Sequence, residues 1–266
     1  MRILKCAALV GLMLAVTGTA GAVTLTDLNS SATIDPSGSG MNNWTVDGVS
    51  QLYQQWFWYR IGSQGPEASL DTIGTPAIVQ VDPAIATITY SNDLLTIKVI
   101  YALAGGTAGS QTSDIAETIR ITNNSCDTQT IHFFQYADFD LGGTPGNDTV
   151  TLVNANLVSQ MDPLSTLGET VETPTPNHYE LAFFSTTRDK LNDALPTTLS
   201  DGATSVGPGD ATWAFEWDRD IVAGGTFIIS KDKHLSPVPE PLTMLGVLAG
   251  VSGLGGYLRR RQQEVA

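Results

Sequence analysis

The sequence predicts an all-β protein, a single large antiparallel β-sandwich. Hydrophobic residues recur with a period of two rather than 3.6, which is typical of strands. Residues 115–121 are the clearest case, since Ile115, Ile119 and Ile121 share one side while Thr118 and Arg120 lie on the other. Clusters of Gly, Pro, Asn and Asp separate such runs. No sustained helical pattern occurs between the two terminal segments, so the strands are expected to form two packed sheets.

Ten runs with this pattern are the predicted strands. They cover residues 54–61, 78–81, 87–90, 94–101, 115–121, 130–140, 149–153, 178–186, 211–217 and 226–230. We expect one domain over residues 23–231, because no linker-like stretch divides it. The Thr- and Pro-rich stretch 163–176 is interpreted as a long surface loop rather than a domain boundary. Residues 232–237 are expected to form a short spacer.

Composition and charge limit the partners of this chain. Of 266 residues, 42% are hydrophobic, which is enough for a core, and two cysteines exclude a disulfide-rich scaffold. The formal net charge is −14, and residues 23–238 hold 8 Lys and Arg against 25 Asp and Glu, a net charge of −17. No basic stretch lies between the termini, so nucleic acid is excluded as a partner. Such an acidic protein would be soluble and would be repelled by acidic polysaccharide unless cations intervene.

The N-terminus predicts export. Residues 1–22 have two basic residues, an apolar run at 6–16 and a small-x-small cleavage site at 20–22, the pattern of a secretory signal peptide. The expected partner at this stage is the secretion translocon, and the mature chain is expected to begin at Val23. A retained membrane anchor is the alternative, although the apolar run is short for a membrane span.

The C-terminus has three parts in a fixed order. A short motif comes first, then residues 242–258 without a charge, then a basic cluster, and residues 262–266 form a tail. A helix of 17 residues is about 25 Å long, marginal for a bilayer core. The basic cluster would remain on the cytoplasmic side. The motif and the cluster consist of Val238, Pro239, Glu240 and Pro241, and of Arg259, Arg260 and Arg261.

This tripartite end, residues 238–261, resembles the PEP-CTERM sorting signal of Gram-negative bacteria. The resemblance implies recognition by exosortase, a membrane cysteine transpeptidase-like protease, and cleavage near residues 239–241. It implies transient anchoring of a transmembrane sorting helix in the inner membrane, then delivery to the cell surface or extracellular matrix. It also implies an association with exopolysaccharide. An ordinary single-pass anchor that is never cut is the alternative.

A run of aromatic residues is the most conspicuous local feature. On a strand, Trp56 and Trp58 project to one face, and Phe57 and Tyr59 project to the other. If the first face is exposed, the two indoles would form a stacking platform for sugar rings. If both faces are buried, the indole N–H groups would instead find local hydrogen-bond partners within a sandwich core.

A second candidate site lies where a predicted strand ends. Asp138 and Asp140 point to the same face, and the Gly-rich turn 142–146 would let Asn147 or Asp148 approach them. Calcium prefers six to eight oxygen ligands, and such a loop supplies carboxylates and carbonyls. Calcium is therefore the one cofactor considered, at Asp138 and Asp140. The alternative is that Asp and Gly occur here because strand ends and turns use them.

Catalytic motifs are missing from the sequence. His132, His178 and His234 stand far apart, and the chain has no Gly-x-Ser-x-Gly elbow, His-Glu-x-x-His motif or phosphate-binding glycine loop. Asp218 and Asp220 form an acidic pair similar to Asp138 and Asp140, and they precede Gly224 and Gly225. Neither pair lies in a sequence that matches a known calcium-binding loop. With 25 acidic residues in the mature region, spacing alone cannot select a catalytic pair of carboxylates.

These observations lead to two functional hypotheses. The first is a secreted, non-enzymatic surface or matrix protein, structural or adhesive, that contacts extracellular polysaccharide and has no catalytic residues. The alternative is a carbohydrate-active hydrolase on a β-sandwich scaffold. A deep cleft with two facing carboxylates would favour the hydrolase, and an exposed patch at Trp56 and Trp58 would favour a binding module.

Overall fold

A computed structural model describes residues 21–238 of this chain. It contains eighteen strands, one α-helix and two short 3-10 helices. The strands are β1 Val23–Asp27, β2 Ser30–Asp35, β3 Gly40–Val46, β4 Val49–Ser50, β5 Gln54–Ile61, β6 Ala68–Ser69, β7 Ala77–Asp82, β8 Ile85–Ser91, β9 Leu95–Gly105, β10 Ser113–Asn123, β11 Gln129–Asp138, β12 Asp148–Asn154, β13 Leu157–Met161, β14 Ser165–Thr173, β15 His178–Phe183, β16 Ser205–Gly209, β17 Ala211–Ile221 and β18 Thr226–Pro237. Helix α1 is Thr186–Leu191, and the 3-10 helices are Leu70–Ile73 and Leu141–Gly143.

The strands form two antiparallel nine-stranded sheets. The first has the order β1-β2-β3-β5-β11-β17-β15, with β4 beside β3 and β6 beside β5. The second has the order β16-β12-β13-β14-β18-β10-β9-β8-β7. The prediction of an all-β protein with two sheets is confirmed. Each of the ten predicted strands has a counterpart among these elements.

Aromatic residues fill the space between the sheets on the inner face of the first sheet. The rings of Phe57 and Phe133 are stacked with centroids 5.5 Å apart, and those of Phe139 and Trp213 with centroids 5.3 Å apart. All four side chains are buried. Aromatic side chains bury large areas, so this cluster is a main source of the hydrophobic stabilisation of the sandwich.

A group of charged side chains is also buried between the sheets. Lys231 and Lys233 of β18 contact Glu117 of β10 and Glu169 of β14, and all four side chains are completely shielded from solvent. The amide of Gln135, which crosses from the first sheet, donates to both oxygens of Glu169 at 2.8 Å. The two sheets are thus joined by hydrogen bonds to ionised groups as well as by apolar contact.

Two predicted connections are strands in the structure. Residues 163–176, expected as a surface loop, contain β14, which lies between β13 and β18. Residues 232–237, expected as a spacer, are the second half of β18 and pair with both β10 and β14. The inward positions of these strands include Glu169 and Lys233. Both can be buried because each contacts an oppositely charged side chain: Glu169 contacts Lys231, and Lys233 contacts Glu117. A hydrophobic pattern does not detect strands whose inward positions are charged.

The described residues contain no helix of the length and apolar character needed to cross a membrane. Residues 1–20, which make up most of the predicted signal peptide, lie outside the described residues. Residues 239–266, which include all of the predicted sorting signal except Val238, also lie outside them.

Candidate functional site

The candidate site lies at one end of the first sheet, where β11 and β15 end and β5 and β17 begin. The register of the sheet brings its residues together, because Asp138, the last residue of β11, pairs with Thr212 on β17 and with Gln54 on β5. Asp210 immediately precedes β17, and Asp140 follows β11 by two residues. The ends of β5, β11 and β17 therefore bring Gln54, Asp138 and Asp210 to one place.

Three carboxylates converge there. Each of Asp138, Asp140 and Asp210 has an oxygen within 4.8 Å of an oxygen of the other two. Asp138 is 1% exposed, while Asp140 and Asp210 are half-buried. The hydroxyl of Tyr136 donates to Oδ2 of Asp138 at 3.0 Å, whereas Oδ1 of Asp138 is buried without a hydrogen-bond partner among the described residues. A buried carboxylate oxygen of this kind is energetically costly unless a proton, a cation or a ligand compensates it.

The crowding of these acids changes how they titrate. Burial raises the pKa of Asp138 to about 7, and the nearby charges of Asp210 and Asp140 act in the same direction. Burial and the charge of Asp210 also raise the pKa of Asp140, and burial raises that of Asp210. The guanidinium of Arg188 partly offsets the increase at Asp138 and Asp210. Near neutral pH the cluster therefore holds a proton that ordinary aspartates would have lost.

Aromatic rings line the space above the carboxylates. A cavity of about 190 Å³ is bounded by the three aspartates together with Tyr53, Pro145 and Phe184. The rings of Tyr53 and Phe184 meet edge to face with centroids 6.0 Å apart, and they are 53% and 38% exposed. The guanidinium carbon of Arg188 lies 4.3 Å from the centroid of the Phe184 ring. The cavity is therefore lined on one side by exposed aromatic rings, which we call the aromatic wall, and on the other by the three carboxylates.

A second cavity adjoins the first and shares Tyr53 and Asp140 with it. Its volume is about 520 Å³, within the range of about 300 to 1,000 Å³ that is usual for ligand pockets. Its wall is rich in hydroxyl and amide groups. The lining residues are Ser39, Asn42, Asn43, Ser50, Leu52, Tyr53, Gln54, Asp140 and Arg188. We call the two cavities together the carboxylate groove.

The structure brings together the acidic residues that the sequence pointed to and adds one. Asp138 and Asp140 lie together, as their spacing in the sequence predicted. Asp148 is not one of the three converging carboxylates; burial, followed by the charges of Asp162 and Asp140, raises its pKa to about 7. Asp210 was not predicted, because it is distant in sequence and only the pairing of β11 with β17 places it here. The Gly-Pro-Gly stretch just before it was the available signal of a turn.

The structure excludes the predicted sugar platform at Trp56 and Trp58. The two side chains do share a face, the outer face of the first sheet, but they are only 1% and 3% exposed. Their indole nitrogens donate to Ser69 Oγ at 2.7 Å and to Asn192 Oδ1 at 3.2 Å. The segments that carry Ser69 and Asn192 cover this face, so Trp56 and Trp58 belong to the interior.

The fold is shared with solved structures, although no protein-family model matches the sequence and no characterised protein is similar to it in sequence. A bacterial glucoamylase in complex with acarbose has a TM-score of 0.56 at 6% identity, over 84% of this chain and 32% of that one. A putative aldose 1-epimerase from Escherichia coli K12 has a TM-score of 0.53 at 10% identity, over 82% and 99%. A galactose mutarotase-like protein from Lactobacillus casei has a TM-score of 0.50 at 10% identity, over 81% and 100%.

These neighbours correct the expected function. Identities of 6% to 10% show a common fold, and this chain spans about a third of the length of the glucoamylase. The glucoamylase and the epimerase are sugar-processing enzymes by name, and they contradict the expectation of a non-enzymatic structural or adhesive protein. Converging carboxylates, one part of the feature expected of the alternative hypothesis, are present in the carboxylate groove, which is open to solvent rather than a deep cleft.

Proposed function

We propose that this protein is a carbohydrate-active hydrolase whose substrate binds in the carboxylate groove. One observation carries the proposal: Asp138, Asp140 and Asp210 converge beneath an exposed aromatic wall, and the pKa of Asp138 is about 7. Glycoside hydrolysis needs a carboxylic acid that keeps its proton near neutral pH beside a carboxylate that has lost its own. The fold neighbours support a sugar as substrate.

The carboxylates are proposed to supply one general acid and one carboxylate partner. Asp138 is the most deeply buried of the three, and burial raises its pKa to about 7, which suits it to protonate the leaving oxygen of a glycosidic bond. Asp140 and Asp210 are more accessible, and one of them would act as the carboxylate partner. One oxygen of each of the three carboxylates lies within 4.8 Å of the others, so an acid and a carboxylate partner can act on the same substrate.

The walls of the groove suit a sugar ring. The apolar face of a pyranose would pack on Tyr53 or Phe184, the exposed aromatic pair. Its hydroxyls would meet the amides of Asn42 and Gln54 and the guanidinium of Arg188, which line the larger cavity. The combination of ring stacking and hydrogen bonding is the usual way that proteins hold neutral sugars.

The test is a glycan panel assayed with the exported protein and two variants. Wild-type protein is expected to release reducing ends from at least one α- or β-linked oligosaccharide. Asp138→Asn and Asp210→Asn are expected to lower kcat by about 10² to 10⁴ without unfolding the protein. Asp93→Asn, in an exposed turn of the second sheet, is the matched control and should retain full activity. Absence of turnover across the panel, or equal activity in all variants, would contradict the proposal.

Calcium binding is a second candidate role for the same carboxylates. The unpartnered, buried Oδ1 of Asp138 favours it, since a cation would supply the missing partner. Asp138, Asp140 and Asp210 would be the ligands, and substrate hydroxyls would complete the coordination. Millimolar Ca²⁺ is then expected to raise Tm in wild-type protein and not in Asp138→Asn. An unchanged Tm in both proteins would exclude this role.

We also propose that the protein is exported and sorted. The signal-peptide pattern at 1–22 and the three-part C-terminal segment 238–261 support this proposal. The exported domain would leave the inner membrane when exosortase cuts near residues 239–241. A carbohydrate-active enzyme at the surface or in the matrix would meet extracellular polysaccharide as its substrate.

A further inference from the structure

A second cluster of titratable side chains lies on the same outer face of the first sheet, toward the other end. His132 of β11 pairs directly with Asp218 of β17, and Glu216 of β17 pairs with His178 of β15. Since residues alternate between faces, all four side chains point to the outer face. Glu216 is four residues from Thr212, so this cluster is about 13 Å along the strand from the carboxylate groove. It is a separate site.

Three donor atoms in this cluster are close to one another. Nδ1 of His132 lies 2.5 Å from Oδ1 of Asp218 and 3.7 Å from Oε1 of Glu216. The three side chains can each offer one ligand atom within 4.8 Å of the others. An imidazole nitrogen and two carboxylate oxygens at these separations can surround a small cation after minor adjustment, because metal–ligand distances are about 2.0 to 2.2 Å.

The buried carboxylate of Glu216 is an independent indication that this cluster binds a cation. Its side chain is completely buried. Oε2 accepts a hydrogen bond from the amide of Leu199 at 2.7 Å, but Oε1, the atom that faces His132, has no hydrogen-bond partner among the described residues. A buried carboxylate with an unused oxygen is expensive to maintain unless something binds to it.

His178 is held with one nitrogen facing the cluster. Its Nδ1 lies 2.6 Å from Oδ2 of Asp201, while its Nε2 lies 3.7 Å from Oδ2 of Asp218. Asp201 is itself fixed, because its Oδ1 accepts a hydrogen bond from the amide of Tyr179 at 2.9 Å. A histidine that binds a metal through one nitrogen usually donates its other N–H to a carboxylate, and Asp201 fits that supporting role.

We propose that His132, Glu216 and Asp218, with His178 as a fourth ligand, bind a divalent transition-metal ion of the Zn²⁺ class. The mixed nitrogen and oxygen donor set favours Zn²⁺ or Co²⁺ over Ca²⁺, which prefers oxygen ligands alone. Asp218 and His178 are half-buried, so the bound ion would lie near solvent and could accept an additional ligand. The proposal does not depend on the carboxylate groove or its activity.

The chain contains a natural control for this site. His234 and Asp114 form another histidine–aspartate pair on the second sheet, with Nδ1 2.7 Å from Oδ1. Both of its side chains are exposed, and neither belongs to a group of three metal-binding side chains among the described residues. If a histidine beside an aspartate were sufficient for binding, His132 and His234 would behave alike.

The test is metal titration of the whole protein after removal of metals with a chelator. Calorimetry is expected to show one equivalent of Zn²⁺ bound with micromolar or tighter affinity, and Co²⁺ should give visible absorption bands of a nitrogen- and oxygen-bound ion. His132→Gln and Glu216→Gln should weaken binding at least tenfold. His234→Gln and Asp138→Asn should leave affinity and stoichiometry unchanged, and the second of these separates this site from the carboxylate groove.

Folding of the variants is checked by thermal unfolding. If Glu216→Gln does not fold, His178→Gln, a change at a half-buried position, replaces it in the series. Failure of Zn²⁺ to bind at millimolar concentration would overturn the proposal. So would binding that survives His132→Gln, or binding that is lost equally in His234→Gln.

Discussion

Nζ of Lys233 lies 2.8 Å from Oε1 of Glu117, and both side chains are fully buried between the two sheets. The neighbouring Lys231 also contacts Glu117, and Glu169 completes a group of two positive and two negative charges. Burial alone would raise the pKa of Glu117, but the ammonium groups of Lys231 and Lys233 lower it to about 2. The core of this sandwich therefore depends on paired charges as well as on aromatic packing.

Removal of one cation should be strongly destabilising. Lys233→Met is expected to lower the free energy of unfolding by about 3 to 5 kcal/mol, because Glu117 and Glu169 would then share one ammonium group. Urea unfolding followed by tryptophan fluorescence measures the effect. Lys98→Met, a half-buried lysine on the outer face of the second sheet, should change stability by less than about 0.5 kcal/mol. Equal effects of the two substitutions would show that the buried pairing is unimportant.

The same cluster limits how far the fold could be predicted from the sequence. Strands with apolar inward positions, such as β9, follow an alternation that any hydropathy pattern detects. In β18 the inward residues include Lys231 and Lys233, and in β14 they include Ser165 and Glu169. Their burial depends on partners from other strands, which a local pattern does not contain. For this reason a spacer and a loop were predicted where the second sheet has two adjacent strands.

Stability should fall as pH rises through the range in which Asp138 loses its proton. The pKa of Asp138 is about 7 in the folded protein against an ordinary value of 3.8. The folded state therefore binds a proton more tightly than the unfolded state. The stabilisation of the folded state by the proton on Asp138 is complete below about pH 4. It is lost as the pH rises from about 4 to 7, and the free energy of unfolding falls by up to about 1.4 kcal/mol per pH unit.

Asp138→Asn tests this linkage, because an amide mimics the protonated carboxyl group. The variant should show a flatter dependence of unfolding free energy on pH between 4 and 7 than the wild type. Chemical denaturation at intervals of one pH unit measures it. Asp93→Asn, which replaces an exposed carboxylate, should keep the wild-type slope. A wild-type slope in Asp138→Asn would mean that the raised pKa belongs to another group.

The aromatic wall of the carboxylate groove should contribute to substrate affinity. Phe184→Ala is expected to raise KM for the glycan found in the panel about tenfold, equivalent to about 1.4 kcal/mol, with little change in kcat. The control is Phe227→Ala, because Phe227 also has an arginine over its ring but does not line the groove. The guanidinium carbon of Arg219 lies 5.3 Å from the centroid of the Phe227 ring, and that of Arg188 lies 4.3 Å from the centroid of the Phe184 ring. A similar KM change in both variants would indicate a general loss of packing rather than a sugar contact.

Candidate residues were predictable from sequence only when they lie near one another in the chain. Asp138 and Asp140 are only two residues apart, so their proximity was predictable, although Asp140 lies just beyond the end of β11. Asp210 reaches them, and His132 reaches Asp218, through the antiparallel register of β11 with β17. That register joins residues that are more than 70 positions apart, and no local spacing indicates it. The proposed metal site is not predictable from the sequence for this reason, although Asp218 and Asp220 form an acidic pair similar to Asp138 and Asp140.

The sorting proposal predicts that the short motif at 239–241 is required for release. Replacement of Pro239, Glu240 and Pro241 by alanine is expected to leave the protein in the inner-membrane fraction with its C-terminus attached, because the protease would no longer recognise its site. Replacement of residues 262–264 by alanine, beyond the arginine cluster, is the control and should permit normal release. Mass spectrometry of the released protein measures the C-terminus directly. If wild-type protein is released by cells that contain exosortase and still carries Arg259, Arg260 and Arg261, the segment acts as an ordinary tail and the sorting proposal fails.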